Sequence, residues 1–293
     1  MSFFISFDTE CLLFHFFAYE DTAMNKVALV TGASSLFGKQ VAQKLKVSGF
    51  KVFAAAKQVD RVEDLKANGV IPLSMDLAKE DSIQQCVNQI LSESGSIDVL
   101  VNNVSYGPLG AVEHFPMEEA RRQFDINLFG TARVIQLVTP EMRFKRSGKI
   151  VNVSFMNGTV WTEMGVWYHS LKHAVDGFFD CLRLELESFG IDVMVIDPGD
   201  IKEEWEKILA GILAKAPITG PYARMSESVA ERVKRFQSDR ILSDPQLVAV
   251  TVCRAVTSRN PNDHYVVGKE SQSSTWLSDI LLGFLYSILE DSS

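Results

Sequence analysis

The amino-acid sequence predicts a single α/β domain built on a doubly wound parallel sheet of about seven strands. From Met24 onward, short runs of apolar and β-branched residues alternate with amphipathic helical stretches. This alternation is typical of βαβ units, whose crossover helices return the chain to a parallel strand. The predicted strands are apolar along their whole length, which indicates a sheet covered by helices on both faces.

Each predicted element follows from its local pattern of apolar residues. We expect strands at 26–30, 51–56, 70–74, 98–101, 149–153, 192–196 and 264–267, and helices near 37–48, 61–67, 79–94, 118–144 and 168–188. The segment at about 200–245 breaks this rhythm with a helix, a Pro/Gly turn and a charged stretch. An insertion after a strand end is where a substrate-covering lid would lie, although a solvated pair of surface helices remains the alternative.

Composition limits the classes of function. The chain has 293 residues, 46% hydrophobic and 23% charged, and its formal net charge is 29 − 37 = −8. These values are typical of a globular protein, and no basic patch is available for nucleic acid. The four cysteines are far apart in the sequence, so neither a disulfide framework nor a zinc knuckle is indicated and a reducing, cytoplasmic location is expected.

The two ends of the chain differ from the predicted domain. Residues 1–23 are Phe-rich but interrupted by acidic residues and lack a basic start, which excludes a signal peptide and a spanning helix. We therefore predict a dispensable extension before a domain spanning 24–293. A C-terminal helix at about 275–289 is broadly apolar but too short to cross a bilayer. We expect it to pack against the body, the substrate pocket or another subunit; attachment to a membrane surface is the minority alternative for both ends.

A glycine-containing turn follows the first predicted strand. Residues 31–38 read T-G-A-S-S-L-F-G and lead directly into a helix. Such a turn directs backbone N–H groups and the positive end of the helix toward a pyrophosphate. The sequence therefore predicts a phosphate-binding loop at the first strand–helix junction.

A tyrosine and a lysine lie four residues apart on the helix predicted at 168–188. Tyr168 and Lys172 share one face of that helix. A neighbouring ammonium group stabilises a phenolate and lowers the pKa of a tyrosine from its reference of about 10, which suits the residue for general acid–base catalysis. His169 and His173 share this spacing, but no third ligand accompanies them and we predict no metal site.

The order of these motifs resembles the short-chain dehydrogenase/reductase family over residues 25–270. The chain carries T-G-x(5)-G, then Asp76, N-N at 102–103, Asn127, Y-x-x-x-K and P-G at 198–199. This resemblance implies a Rossmann-type fold that binds a nicotinamide dinucleotide. The lid, the H-Y-V-V-G strand and the C-terminal helix are similar to those of members that act on steroids, retinoids and other bulky alcohols or ketones.

The resemblance also implies a role for individual residues. The phosphate loop would be lined by Gly32, Ser34, Ser35, Phe37 and Gly38. The adenine would be held by Asp76 and Leu77, the adenosine ribose by Asn103, and the nicotinamide by Pro198, Gly199 and Ile201. Tyr168 would be the general acid/base, Lys172 would bind the nicotinamide ribose, and Asn127 would hold a proton-relay water.

Three positions depart from the family pattern. Leu36 replaces the middle glycine of the loop and adds a side chain where backbone approaches the cofactor. Val104 and Ser105 replace the small residues of the family's N-N-A-G. Phe155, thirteen residues before Tyr168, stands where the family has the serine that polarises the substrate carbonyl, while strand alternation turns Ser154 to the other face.

These observations lead to two functional hypotheses. The first is a cytoplasmic NADP(H)-dependent oxidoreductase that interconverts an alcohol and a ketone or aldehyde on a bulky apolar substrate. NADP(H) is favoured over NAD(H) because strand two ends in three alanines followed by Lys57, with no acidic residue for the ribose 2′-hydroxyl. The second is a non-catalytic dinucleotide-binding protein of the same fold, favoured by Leu36 and Phe155. We expect a homo-oligomer and no stable contact with a membrane.

Overall fold

A seven-stranded parallel sheet forms the centre of the molecule. The computed structural model describes residues 26–154, 162–198, 220–239 and 244–267, with only the helical backbone given for 232–239. The strands follow the order β3-β2-β1-β4-β5-β6-β7, and every neighbouring pair is parallel. They are β1 (Val27–Val30), β2 (Lys51–Ala56), β3 (Ile71–Ser74), β4 (Val99–Asn102), β5 (Gly148–Val153), β6 (Ile191–Asp197) and β7 (His264–Val266).

Helices connect successive strands and cover both faces of the sheet. They are α1 (Leu36–Val47), α2 (Glu80–Ser94), α3 (Met117–Phe124), α4 (Thr131–Lys145), α5 (Val166–Glu187), α6 (Ala223–Asp239) and α7 (Pro245–Thr257), with a 3₁₀ helix at Val59–Asn68 and a π-helical turn at Asp125–Gly130. One apolar core lies between the sheet and α1 with α7, and the other lies between the sheet and α2, α4 and α5. The doubly wound architecture predicted from the sequence is confirmed.

All seven strand predictions agree with the structure to within one residue at both ends, whereas two helix predictions need correction. The helix predicted at 61–67 is a 3₁₀ helix that runs from Val59 to Asn68. The single helix predicted at 118–144 is α3 and α4 joined by the π-helical turn. At the end of that turn, a Cβ on Gly130 would lie 2.2 Å from the Leu77 carbonyl oxygen, so the helix approaches the loop after β3 at a distance that only glycine permits.

Some sequence predictions concern residues outside the described ranges. These are the extension 1–23, the C-terminal helix at 275–289 and, within the segment 200–245, residues 200–219 and 240–243. The described part of that segment contains α6, whose buried Val229 and Ala230 pack against Tyr168. Within the portion of the chain that the structure describes, no helix has the length and apolarity needed to cross a bilayer.

Candidate active site

The loop after β1 is held in a conformation that requires glycine. Gly32 has a φ of +61°, and a Cβ there would lie 2.0 Å from the backbone oxygen of Asn103. A Cβ on Gly38 would lie 2.7 Å from the Gly32 oxygen. Both residues therefore allow the loop to fold tightly over the ends of β1 and β4, which exposes the first turn of α1 as a possible phosphate site.

Polar side chains fix this loop in place. Ser35 is the N-cap of α1, and its hydroxyl accepts a hydrogen bond from the Gly38 amide at 3.0 Å. The side-chain amide of Asn103 donates to the Gly32 oxygen at 3.2 Å and to the Ser35 hydroxyl at 3.1 Å. Asn103 thus connects the end of β4 to the phosphate loop, a structural role that the sequence did not indicate.

A cavity of about 340 Å³ lies beside this loop, across the carboxyl ends of β3, β2, β1 and β4. Its lining includes most of the residues expected to bind the coenzyme: Gly32, Ser34, Ser35, Phe37, Lys57, Asp76, Leu77 and Asn103. It also includes Ser105, whose buried hydroxyl has no hydrogen-bond partner within the described ranges. A glycine-lined loop, a helix N-terminus and an unsatisfied hydroxyl together fit a dinucleotide.

Leu36 does not obstruct this cavity. Leu36 is the first residue of α1, is 53% exposed, and is not among the residues that line the cavity. Its neighbours Ser35 and Phe37 do line it. The crowding expected from the sequence at this position is therefore absent from the cavity, while Val104 and Ser105 contribute directly to its wall.

Basic residues surround the end of the cavity next to β2 and β3. The ammonium group of Lys57 lies 3.1 Å from Oδ2 of Asp76, and Arg61 lines the same wall. Burial alone would raise the pKa of Asp76, but the Ala78 amide and the Lys57 ammonium group outweigh it and lower this pKa. Asp76 is therefore ionised and holds Lys57 at the rim.

Tyr168 is buried beneath the loop that follows β4. Its side chain is 2% exposed and packs in an apolar cluster with Leu109, Ala111, Met164, Val229 and Ala230. The Lys172 ammonium group lies 5.3 Å from the centre of the Tyr168 ring and is also buried. Tyr168 and Lys172 are thus neighbours on α5, and the phenol ring faces apolar groups from three segments.

Asn127 fixes the loop above Tyr168. Its side-chain oxygen accepts a hydrogen bond from the Tyr106 amide at 2.9 Å, and its side-chain nitrogen donates to the oxygens of Tyr106 at 2.6 Å and Gln123 at 2.7 Å. Because these contacts occupy the amide group, any water at this position would have to bind the backbone that the π-helical turn opens. The side chain itself serves as a clamp.

The turn before α5 also contacts this loop. Met164 has a φ of +64°, a conformation that is uncommon for a side chain of this size. Its carbonyl oxygen accepts a hydrogen bond from the Gly110 amide at 2.8 Å, and its side chain joins the cluster around Tyr168. A strained backbone next to the proposed acid–base residue is typical of a functional site.

The two histidines of α5 do not converge on a common point. His169 Nε2 pairs with the Thr162 hydroxyl at 3.0 Å, whereas His173 Nδ1 pairs with the His169 carbonyl oxygen at 2.8 Å. Burial, followed by the positive charges of His173 and Lys172, lowers the pKa of His169, so it is neutral at pH 7. In the described ranges, no three His, Cys, Asp or Glu residues lie close enough together to hold a metal ion.

The remaining predicted residues are not part of the cavity lining or lie outside the described ranges. Tyr168, Lys172, Asn127, Gly38 and Pro198 are described but are not part of its lining. Gly199, Ile201 and Phe155 are not described. The Ser154 hydroxyl is buried and donates to Asp176 of α5 at 3.4 Å.

Sequence reasoning assigned no role to eight residues of the cavity wall. Four of them adjoin the strand ends and four come from other segments: Thr31, Ala55, Ala56 and Met75, and Arg61, Tyr106, Arg122 and Ile126. Arg61 lies one turn after Lys57, and Ile126 precedes Asn127, so both could have been found from their distance to a predicted residue. Arg122 and Tyr106 come together only through the fold of the loop after β4, which no short motif indicates.

The fold and the site define a dinucleotide-binding α/β oxidoreductase with a Tyr–Lys pair. The comparisons with known proteins lead to the same class. Residues 26–209 match the profile of the short chain dehydrogenase family. The chain belongs to this family and is an NAD(P)-dependent oxidoreductase acting on CH–OH groups.

Several known proteins resemble the chain over most of its length. A 3-ketodihydrosphingosine reductase of Bacteroides thetaiotaomicron is 31% identical over 88% of this chain and 96% of its own. An NADPH-dependent 3-dehydrocapnine reductase of Ornithobacterium rhinotracheale is 32% identical over 83% of this chain and 88% of its own length. Human retinol dehydrogenase 8 is 30% identical over 82% of this chain and 80% of its own length, in agreement with the expected likeness to retinoid enzymes.

The fold agrees with solved structures as well. A short-chain dehydrogenase from Streptomyces avermitilis superimposes with a TM-score of 0.71 and 26% identity, over 91% of this chain and 94% of that protein. The seven-stranded parallel sheet with flanking helices is therefore shared with proteins of known structure.

Proposed function

We propose that the protein is an NADP(H)-dependent oxidoreductase that interconverts a hydroxyl group and a ketone or aldehyde on a bulky apolar substrate. The observation that carries this proposal is the position of Tyr168. Its ring lies beside the Lys172 ammonium group and within an apolar cluster, and it contacts Gly107 of the loop whose preceding residues line the dinucleotide cavity. This arrangement combines a proton donor with an apolar surface for a substrate.

The residues around Tyr168 support a specific division of labour. The nicotinamide ring would supply or accept the hydride at the carbon atom. Tyr168 would donate a proton to the carbonyl oxygen in reduction and remove it in oxidation, and the positive charge of Lys172 would stabilise the phenolate. Asn127 would keep the loop at Tyr106 in place, and the surrounding apolar side chains would exclude water.

The preference for NADP(H) is supported by the rim of the cavity. β2 ends at Ala56, and Lys57 and Arg61 follow it on the cavity wall, where an NAD-binding site would place a carboxylate for the ribose 2′-hydroxyl. A 2′-phosphate carries up to two negative charges that these side chains can neutralise. The NADPH-dependent relative is consistent with this assignment.

An apolar substrate is supported by the groups that contact Tyr168. Leu109, Ala111, Val229 and Ala230 are all buried and apolar, and Met225 and Tyr222 pack against the same cluster. The names of two relatives refer to a ketodihydrosphingosine and to retinol, molecules with a large hydrocarbon part. We infer that this chain takes a substrate of the same general kind.

Phe155 is the observation that favours the non-catalytic alternative. Loss of one group that stabilises a developing oxyanion typically costs about 10²–10³ in rate, so the phenylalanine predicts slow turnover and not its absence. Tyr168 and Lys172 are both present and adjacent. The relatives carry enzyme names, and for these reasons the enzyme is our first choice.

We also propose that the chain forms a homo-oligomer in the cytoplasm. One exposed stripe of α5, at a spacing of three or four residues, carries no Lys, Arg, Asp or Glu. It consists of Val166, Ser170, His173, Gly177, Cys181 and Leu184. Leu184 is 70% exposed on this face. Free thiols at the three described cysteines support a reducing compartment. Sedimentation of wild type and of Leu184→Glu tests the oligomer, which should dissociate in the variant.

Coenzyme binding is the first experiment for this proposal. Purified protein is titrated with NADPH and with NADH while nicotinamide fluorescence is followed. We expect saturable binding of NADPH and weaker binding of NADH. Equal affinities would overturn the NADP(H) assignment, and absence of binding by both would overturn the proposed oxidoreductase.

A further inference from the structure

Arg122 is a cationic residue of the cavity wall that the proposed mechanism does not use. It lies near the end of α3, is exposed, and lines the same cavity as Lys57 and Arg61. Lys57 pairs with Asp76, but Arg122 forms no ion pair with a carboxylate of the described residues. In a chain with a net charge of −8, a guanidinium group that faces a cavity and forms no ion pair within the described ranges is available to an anionic or aromatic ligand.

The position of Arg122 places it above one particular wall. Gly130 contacts the Leu77 carbonyl oxygen so closely that a Cβ would not fit. Ile126 and Arg122 come one and two turns before Gly130, so all three lie on one side of this helical segment. Leu77, Ile126 and Arg122 all line the cavity. Arg122 therefore continues the apolar wall formed by Leu77 and Ile126 toward solvent.

The guanidinium group has a fixed neighbour on the side of the β4 loop. It lies 5.6 Å from the centre of the Tyr106 ring. The Tyr106 hydroxyl donates to Glu119, and the Tyr106 backbone is clamped by Asn127. Tyr106 is thus held from both ends, and the guanidinium group that lies beside its ring and hydroxyl is restricted before any ligand binds.

We propose that Arg122 covers the adenine ring of the bound dinucleotide, with its guanidinium group between that ring and Tyr106. Two apolar side chains form the slot for a flat ring, and a planar cation at its open end stacks on an aromatic face better than a lysine ammonium group would. This proposal rests on dinucleotide binding but on no particular choice between NADP(H) and NAD(H). It assigns to α3 a contribution to coenzyme affinity.

Binding of the coenzyme and of its two halves tests the proposal. The probes are NADPH, NADH, adenosine 5′-diphosphate and reduced nicotinamide mononucleotide; the coenzymes are titrated directly and the two fragments by competition. The Arg122→Gln variant should bind NADPH and adenosine 5′-diphosphate about tenfold more weakly, with no change for the mononucleotide. Arg122→Lys should lose nearly as much, because it keeps the charge but not the plane. Arg121→Gln, a neighbouring arginine outside the cavity, is the matched control and should bind as wild type does.

Ionic strength separates stacking from a contact with phosphate. The loss in Arg122→Gln should persist at high salt, since stacking is screened far less than an exposed ion pair. A loss that disappears at high salt, a loss shared by the mononucleotide, or unchanged NADPH affinity would each overturn the proposal. If wild type binds neither coenzyme, the proposed function itself fails, which is a distinct result.

Discussion

Gly107 lies directly against the ring of Tyr168. A Cβ at position 107 would stand 2.3 Å from Cδ2 and 2.8 Å from Cε2 of the phenol ring. The backbone of Gly107 is not in the left-handed region, so the requirement for glycine comes from the contact alone. The loop after β4 therefore sets the position of the proposed acid–base residue.

The Gly107→Ala variant tests this relationship. Its methyl group cannot fit without a shift of the Tyr168 ring of about an ångström, and a misplacement of that size typically costs about 10²-fold in rate. We expect kcat to fall by this factor while the affinity for NADPH stays within twofold, because the dinucleotide cavity is lined by other residues.

A double variant serves as its control. If Gly107 acts through Tyr168, then Gly107→Ala combined with Tyr168→Phe should be no slower than Tyr168→Phe alone, since both remove the same function. Additive losses, or a large loss of NADPH affinity in Gly107→Ala, would assign the glycine to the stability of the loop.

Lys57 offers a test of coenzyme choice. We expect Lys57→Ala to weaken NADPH binding by roughly 10- to 100-fold, the range typical of a lost hydrogen bond to a charged group, and to leave NADH binding unchanged. Titrations of both coenzymes measure this difference. Lys66→Ala, which removes a surface lysine paired with Glu63, is the control and should bind NADPH normally. Equal losses for both coenzymes would place Lys57 away from the 2′-phosphate.

Leu36 offers a test of whether the phosphate loop is impaired. Since its side chain is exposed and outside the cavity lining, Leu36→Gly should change the affinity for NADPH by less than twofold. The free energy of unfolding should fall slightly, by up to about 1 kcal/mol, because glycine costs backbone entropy in a helix. A tenfold gain in affinity would show instead that Leu36 hinders the coenzyme.

His169 predicts a dependence of stability on pH. Burial, together with His173 and Lys172, lowers its folded-state pKa below 6.5. As pH falls through about 6.5, the unfolded state therefore takes up a proton before the folded state does, and the free energy of unfolding decreases. Below the folded-state pKa the loss becomes constant. Urea unfolding between pH 7.5 and about pH 5 should show this decrease in wild type and a smaller one in His169→Gln. Identical slopes would mean that His169 titrates normally.

Much of the fold was predictable because the strands carry their own signal. β1, β2 and β5 are buried on both faces, and their continuous apolar runs identify them without tertiary information. The break in the long helix was not predictable from a local pattern: the π-helical turn ends at Gly130, which packs against Leu77, a residue far away in sequence.

The candidate site was predictable to the extent that motifs describe it. Gly32, Asn103, Tyr168 and Lys172 belong to short patterns; Gly32 and Asn103 line the cavity, and Tyr168 and Lys172 are neighbours on α5. Their partners are not encoded locally. Gly107 contacts Tyr168 and Asn127 clamps Tyr106 only because the loop after β4 folds back over α5.

Turnover by Tyr168 tests the central claim of an active NADP(H)-dependent oxidoreductase. NADPH oxidation is followed by nicotinamide absorbance with a panel of long-chain and cyclic apolar ketones, for wild type, Tyr168→Phe and Phe155→Ser. We predict slow reduction of at least one such ketone by wild type, reduction about 10²- to 10⁴-fold slower by Tyr168→Phe, as is typical of a lost acid–base group, and faster reduction by Phe155→Ser, with NADPH affinity preserved in all three. Wild-type protein that binds NADPH but reduces none of these ketones, together with a Phe155→Ser variant that gains no activity, would contradict the account.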